Sequence, residues 1–180
     1  MFSRFNDRIQ KTEIVDDWIL GNEDAPVTLL EYGDFECPYC AMARPELEAL
    51  VAAYPDDIRL VFRHFPISTT HPHAKMAAEA AESAGAQGKF WEMHDMLFTH
   101  QDRLGFEDLR RYAHALGLDL RRFDEEMREH VYEPEVRRDF RRGIQDGVNG
   151  TPTIFINGLR YDGPRDRRSI LAAIKARVPA

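Results

Sequence analysis

The residues best suited to covalent chemistry are the only two cysteines, set as Cys37-Pro38-Tyr39-Cys40 directly after a strand-like run. Two thiols at this spacing on the start of a helix can cycle between dithiol and disulfide. A helix N-terminus offers unpaired backbone N–H groups and a partial positive charge, and both favour a thiolate. The thiolate is the reactive form, so the position makes a nucleophile near neutral pH. Pro38 suits the first helical turn, where its missing N–H costs nothing. Alone, the pair leaves open redox exchange, a regulatory disulfide, or half of a zinc site completed by some of the seven histidines. His71-Pro72-His73 is the nearest thing to a ligand cluster, but it reads as a loop entering a helical block.

The elements that must hold the pair follow from the surrounding pattern. Residues 26–32 are mostly apolar strand formers, as a buried central strand requires. Residues 33–36 are a short connection. A helix is predicted over about 38–54, with Pro45 inside it as a kink. Residues 58–65 read as a second strand closed by Pro66. From 73 to 147 the texture turns helical, punctuated by Gly85, Gly88, Gly105 and Gly117, and four or five short helices are expected. The last of them spans about 134–146. Strand character returns at 153–156, Asn157-Gly158 is a hairpin signal, 159–161 is the returning strand, and a final helix covers roughly 166–177. Residues 1–24 read as a polar arm with an amphipathic stretch around Ile14, Val15, Trp18 and Ile19.

In this order and spacing the chain resembles the DsbA-like thiol–disulfide oxidoreductases over residues 25–177. Besides the cysteines, Glu31 stands six residues before Cys37, where that family carries a buried acid. Pro45 follows Cys40 by five, matching the kink proline, and Thr151-Pro152 ahead of the hairpin matches the cis-proline loop. The resemblance implies an α/β thioredoxin fold with an inserted all-helical subdomain. Its thioredoxin-like part would comprise residues 25–66 and 148–180, the insertion 67–147, and the arm 1–24. Implied too are protein or peptide thiols and disulfides as substrates, and a separate redox partner that recycles the pair. No metal or organic cofactor is expected, since the disulfide itself carries two electrons. By the same resemblance Cys37 is the nucleophile, Cys40 resolves the mixed disulfide, and Glu31 accepts the Cys40 proton with a pKa raised by burial. Pro38, Tyr39, Thr151 and Pro152 would meet the substrate. The Thr151 hydroxyl would tune the thiolate, and the flanking backbone would take up an extended segment as an added strand. The related kappa-type glutathione transferases and isomerases share the inserted-helix architecture but generally lack the CxxC.

Pro38-Tyr39 offers no cation to the thiolate, and Glu36 adds a negative charge next to it, so the expected potential lies between roughly −270 and −120 mV. The chain carries 31 acidic against 24 basic residues, a formal charge of −7, which argues against nucleic acid as the main partner. Its basic clusters, Arg137-Arg138 with Arg141-Arg142 and Arg165 with Arg167-Arg168, are interleaved with acids and read as solvated faces. No run of about 18 apolar residues predicts a membrane span. The first residues lack the roughly 7–15-residue apolar core of a signal peptide, so the expected location is cytoplasmic, or periplasmic if a signal was removed. His64 reads as structural, His94 as structural or solvated on an amphipathic helix, and His100, His114 and His130 as exposed. Phe90, Trp91, Leu97 and Phe98 read as core rather than as a substrate groove. The direction of electron flow, the physiological substrate and the oligomeric state are not legible.

Overall fold

The computed structural model describes Ile14 and residues 16–177. Most of the arm expected at 1–24, with Val15 of its amphipathic stretch, therefore lies outside the described residues. The central strand β2 (Val27–Gly33) is buried along nearly its whole length, which its apolar sequence allows. It runs parallel to β3 (Ile58–His64) and antiparallel to β4 (Thr153–Ile156). Helix α1 (Pro38–Ala53) makes the crossover from β2 to β3 and continues through Pro45. The hairpin partner β5 (Leu159–Tyr161) closes one edge. The other edge is β1 (Trp18–Leu20), antiparallel to β3. The sequence pattern places those three residues in a polar arm, yet they complete the sheet, in the order β1-β3-β2-β4-β5.

The alternation of side chains along β2 sends its residues to two different layers. Val27 and Leu29 pack with Leu47, Leu50 and Val51 of α1 and with Ile170 and Ile174 of α7 (Arg167–Arg177). Leu30 and Tyr32 face the opposite layer, against Phe65, Val148 and Phe155, where Phe140 of α6 (Glu133–Gln145) joins them. Gly143 lets α6 sit close there: a Cβ on it would stand 2.6 Å from the Phe65 ring.

Between β3 and β4 the chain forms α2 (Ala74–Gly85), α3 (Phe90–Thr99), α4 (Phe106–Ala115), α5 (Leu120–Arg128) and α6. The small residues Ala77, Ala80, Ala81 and Ala84 let α2 lie at their centre, with Met93, Leu97, Leu109 and Phe123 around it. Phe35, Cys37, Cys40 and Phe62 belong to the same apolar cluster. The helical block thus packs directly on the start of α1. This is the α/β thioredoxin fold with a helical insertion.

Candidate active site

Cys37 caps α1 in an extended conformation, with Pro38 opening the helix after it. The turn before it is fastened at several points. Asp34 Oδ1 accepts from Glu36 N at 2.8 Å, and the Asp34 carbonyl accepts from Cys37 N at 3.1 Å. Such an aspartate-centred turn satisfies donors that the helix start leaves free. From the far side Gln101 Nε2 donates to the carbonyls of Phe35 and Cys37, at 2.8 and 2.9 Å. Both cysteines are free thiols, Cys37 4% exposed and Cys40 fully buried. Of the two, only Cys37 keeps any exposure.

Their environments drive the two thiols apart. A hydrogen bond from Cys40, assisted by Thr151 and the backbone N–H groups of Cys40 and Tyr39, pulls Cys37 down to about 5 against the opposing effect of burial. Burial pushes Cys40 well up, and the neighbouring Cys37 and Glu31 add to it. A stabilised thiolate thus sits above a protonated thiol.

Glu31 lies on β2 in register with Phe62 of β3 and Ile154 of β4. Its side chain is 1% exposed, and Oε1 has no hydrogen-bond partner among the described residues. Burial raises its pKa to about 8, with Glu48 and the Cys37 thiolate adding and Arg165 opposing. A carboxyl that titrates near neutral pH can take up and release a proton there. Arg165 reaches the same region from the loop before α7, with Nη2 donating to Pro152 O at 3.2 Å.

Thr151 closes the site. Its carbonyl accepts from Cys37 Sγ at 3.4 Å, and the Thr151–Pro152 peptide is cis. Thr151 Oγ1 is buried and has no hydrogen-bond partner among the described residues. Pro38 and Tyr39 are exposed, Tyr39 at 64%, and Tyr39 borders a shallow groove with Met42, Ala43, Glu46 and Arg165. The residues singled out in the sequence, Glu31, Cys37, Pro38, Tyr39, Cys40, Thr151 and Pro152, are thus gathered at one end of the sheet.

Glu36 departs from expectation. Its carboxylate turns away to the start of α2, where Oε2 accepts from His73 N at 2.7 Å and Oε1 lies 3.1 Å from His73 Nδ1. Adjacency in sequence suggested a charge facing Cys37, but the side chain serves a helix N-terminus instead. Arg165, which the sequence places on a solvated face, instead reaches Pro152, and nothing local in the sequence marks Asp34 or Gln101 as part of the site. The matched spacing of Asp34 and Glu36 with His71 and His73 was the one signal that could have exposed Asp34. Two further clusters of ligating side chains exist among the described residues, Glu48-His94-Asp95 and His64-Glu82-Asp139, and neither includes a cysteine.

Comparison with known proteins agrees with this geometry. A family model described as thioredoxin matches residues 13–176. A thioredoxin-like oxidoreductase from Silicibacter pomeroyi superposes with a TM-score of 0.80 at 30% identity, covering 91% of this chain and 94% of that one. DsbA2 of Pseudomonas aeruginosa gives a TM-score of 0.72 at 26% identity, covering 89% and 93%. BdbD of Bacillus subtilis, at 24% identity and a TM-score of 0.78, covers 88% and 90% and shares the fold. Among curated sequences, the Na(+)/H(+) antiporter NhaA 3 of Salinispora tropica is 47% identical over 158 residues, 88% of this chain but 24% of the antiporter. The chain spans about a quarter of the length of the curated relatives it matches.

Proposed function

The chain belongs to the thioredoxin family, among its DsbA-like thiol–disulfide oxidoreductases, and from that premise we propose that it exchanges disulfides with protein or peptide partners through Cys37 and Cys40. The observation that carries this reading is the split between a thiolate at about 5 on the helix cap and a buried thiol held well up beneath it. The Cys37 thiolate attacks a partner disulfide, forms a mixed disulfide and releases one partner sulfur as thiolate. Cys40 loses its proton to Glu31 and attacks Cys37 Sγ. The mixed disulfide breaks, the second partner sulfur leaves, and the Cys37–Cys40 disulfide remains. Oxidation of a partner dithiol is the same sequence in reverse.

Thr151 and Pro152 border the attacked sulfur and are assigned to substrate binding with the exposed Pro38 and Tyr39. The short approach of Thr151 O to Cys37 Sγ supports that assignment. A Cys37 pKa of about 5 falls between the roughly 7 of thioredoxin and the roughly 3.5 of DsbA, and supports an intermediate potential. The compartment and the recycling partner then decide the direction of electron flow. Sodium–proton exchange is named for much longer relatives, and it has no counterpart in the chemistry of this pair. No helix among the described residues is long and apolar enough to cross a membrane.

Two variants test the assignment. Cys37→Ser is expected to abolish insulin reduction and dithiol oxidation, whereas Cys40→Ala should accumulate mixed disulfides with substrate that are visible on non-reducing gels. An unchanged rate in Cys37→Ser would leave the pair a regulatory or structural disulfide.

A further inference from the structure

The loop between β3 and α2 reaches back over the start of α1 and pairs with it twice. Asp34, 2% exposed, receives Ile67 N on Oδ2 at 2.8 Å and Glu36 N on Oδ1 at 2.8 Å. His71 Nδ1 lies 2.8 Å from the same Oδ2. An ionised carboxylate only accepts, so Nδ1 must carry the hydrogen and Nε2 is the atom that gains or loses a proton. Two residues on, His73 meets Glu36 in the same manner. Asp34 in turn holds Cys37 N through its carbonyl, which ties the His71 ring to the turn that carries the sulfur.

We propose, resting on the exchange reading above, that His71 supplies from a separate segment the cation that Pro38-Tyr39 lacks, so that its imidazolium stabilises the Cys37 thiolate and makes the disulfide more oxidising. His71 is a positioning residue here, acting through charge and through Asp34. The charged groups that face it are Asp34 and Glu36 of the active-site turn and Cys37 of α1, with His73 beside it on its own segment. Partial burial lowers the His71 pKa, but Asp34, Cys37 and Glu36 outweigh it and hold the ring above the ordinary imidazole value. Coupling between two sites is reciprocal: a thiolate that favours the imidazolium is favoured by it. The effect ranks behind the Cys40 thiol and the backbone donors, which hold Cys37 down most strongly.

The experiment compares the parent with His71→Asn, which keeps a donor toward Asp34 without the charge. Two quantities are followed: the Cys37 midpoint from thiolate absorbance, and the equilibrium of the pair with glutathione. In His71→Asn the midpoint should rise. Near pH 6.5 the glutathione equilibrium should move roughly threefold to tenfold toward the Cys37–Cys40 disulfide. That gap should close as the pH climbs through the titration of His71 in the parent. His71→Lys keeps a positive charge to about pH 10. It should hold the parent midpoint and lack this pH dependence. An unchanged midpoint in His71→Asn, or a gap equal at every pH, overturns the proposal and leaves His71 as a packing residue. The thiolate titration reads Cys37 acidity without any substrate. A failure of the exchange reading would show separately, as full activity in Cys37→Ser.

Discussion

Glu31 shows what a single buried group does to both stability and rate. Its folded-state pKa of about 8 lies above the usual 4.5, so the unfolded chain ionises first as the pH rises. Stability tied to this carboxyl is complete below about 4.5 and is lost progressively up to about 8. In the reduced protein Glu31→Gln should therefore be more stable than the parent, by up to about 5 kcal/mol above pH 8 and by nothing near pH 4. Urea titrations at a series of pH values give the gap directly. The same variant should resolve mixed disulfides roughly a hundredfold more slowly, because Cys40 loses its nearby proton acceptor. Stopped-flow release of the partner thiol measures that step.

Elements hold these residues by contacts that differ greatly in how openly the sequence announces them. Periodicity and turn residues define β2, α1, β3 and the Asn157-Gly158 hairpin, because each is long enough or punctuated enough to state its own pattern. The edge strand Trp18–Leu20 is three residues long and exists through its pairing with β3, so nothing local marks it. His94 is wholly buried, boxed by Phe35, Phe62 and Phe98. The helical period on α3 puts it on the buried face with Phe90, Met93, Leu97 and Phe98, but a period cannot name the rings from β3 and the active-site turn that enclose it. Gln101 stands 64 residues from Cys37, and only tertiary packing brings it to the active-site turn. Gln101→Ala takes the side-chain donor from the Phe35 carbonyl, while the Cys37 carbonyl keeps the N–H groups of Cys40 and Ala41, and should cost about 1–2 kcal/mol. Hydrogen exchange at the amides of residues 34–41 should rise in that variant. Gly143→Ala is expected to push α6 off Phe65 and Tyr32 and to cost about 1–3 kcal/mol in thermal or urea unfolding. An equally stable variant would mean that α6 shifts freely on the sheet.

At the scale of the whole molecule, the redox pair is part of the core that binds the helical block to the sheet, so its chemical state bears on the stability of both. Cys37 in the folded dithiol has its pKa depressed to about 5. The stability this contributes is fully present above the unfolded thiol's range near 8.5 and declines as the pH falls through about 5. Calorimetry on the two redox forms should therefore find the stability of the dithiol form, relative to the disulfide form, falling from about pH 8 to pH 5. A difference constant over that range would remove the Cys37 thiolate as a contributor. The sheet carries another consequence at its margins. Both outer strands, Trp18–Leu20 and Leu159–Tyr161, are three residues long. A long open margin would template any extended chain that drifted against it, the usual route to aggregation. Under the function proposed above, the molecule has to admit extended backbone at one place, beside Thr151, and to refuse it elsewhere. Truncated margins provide that refusal, and the molecule can handle sticky partners without becoming one.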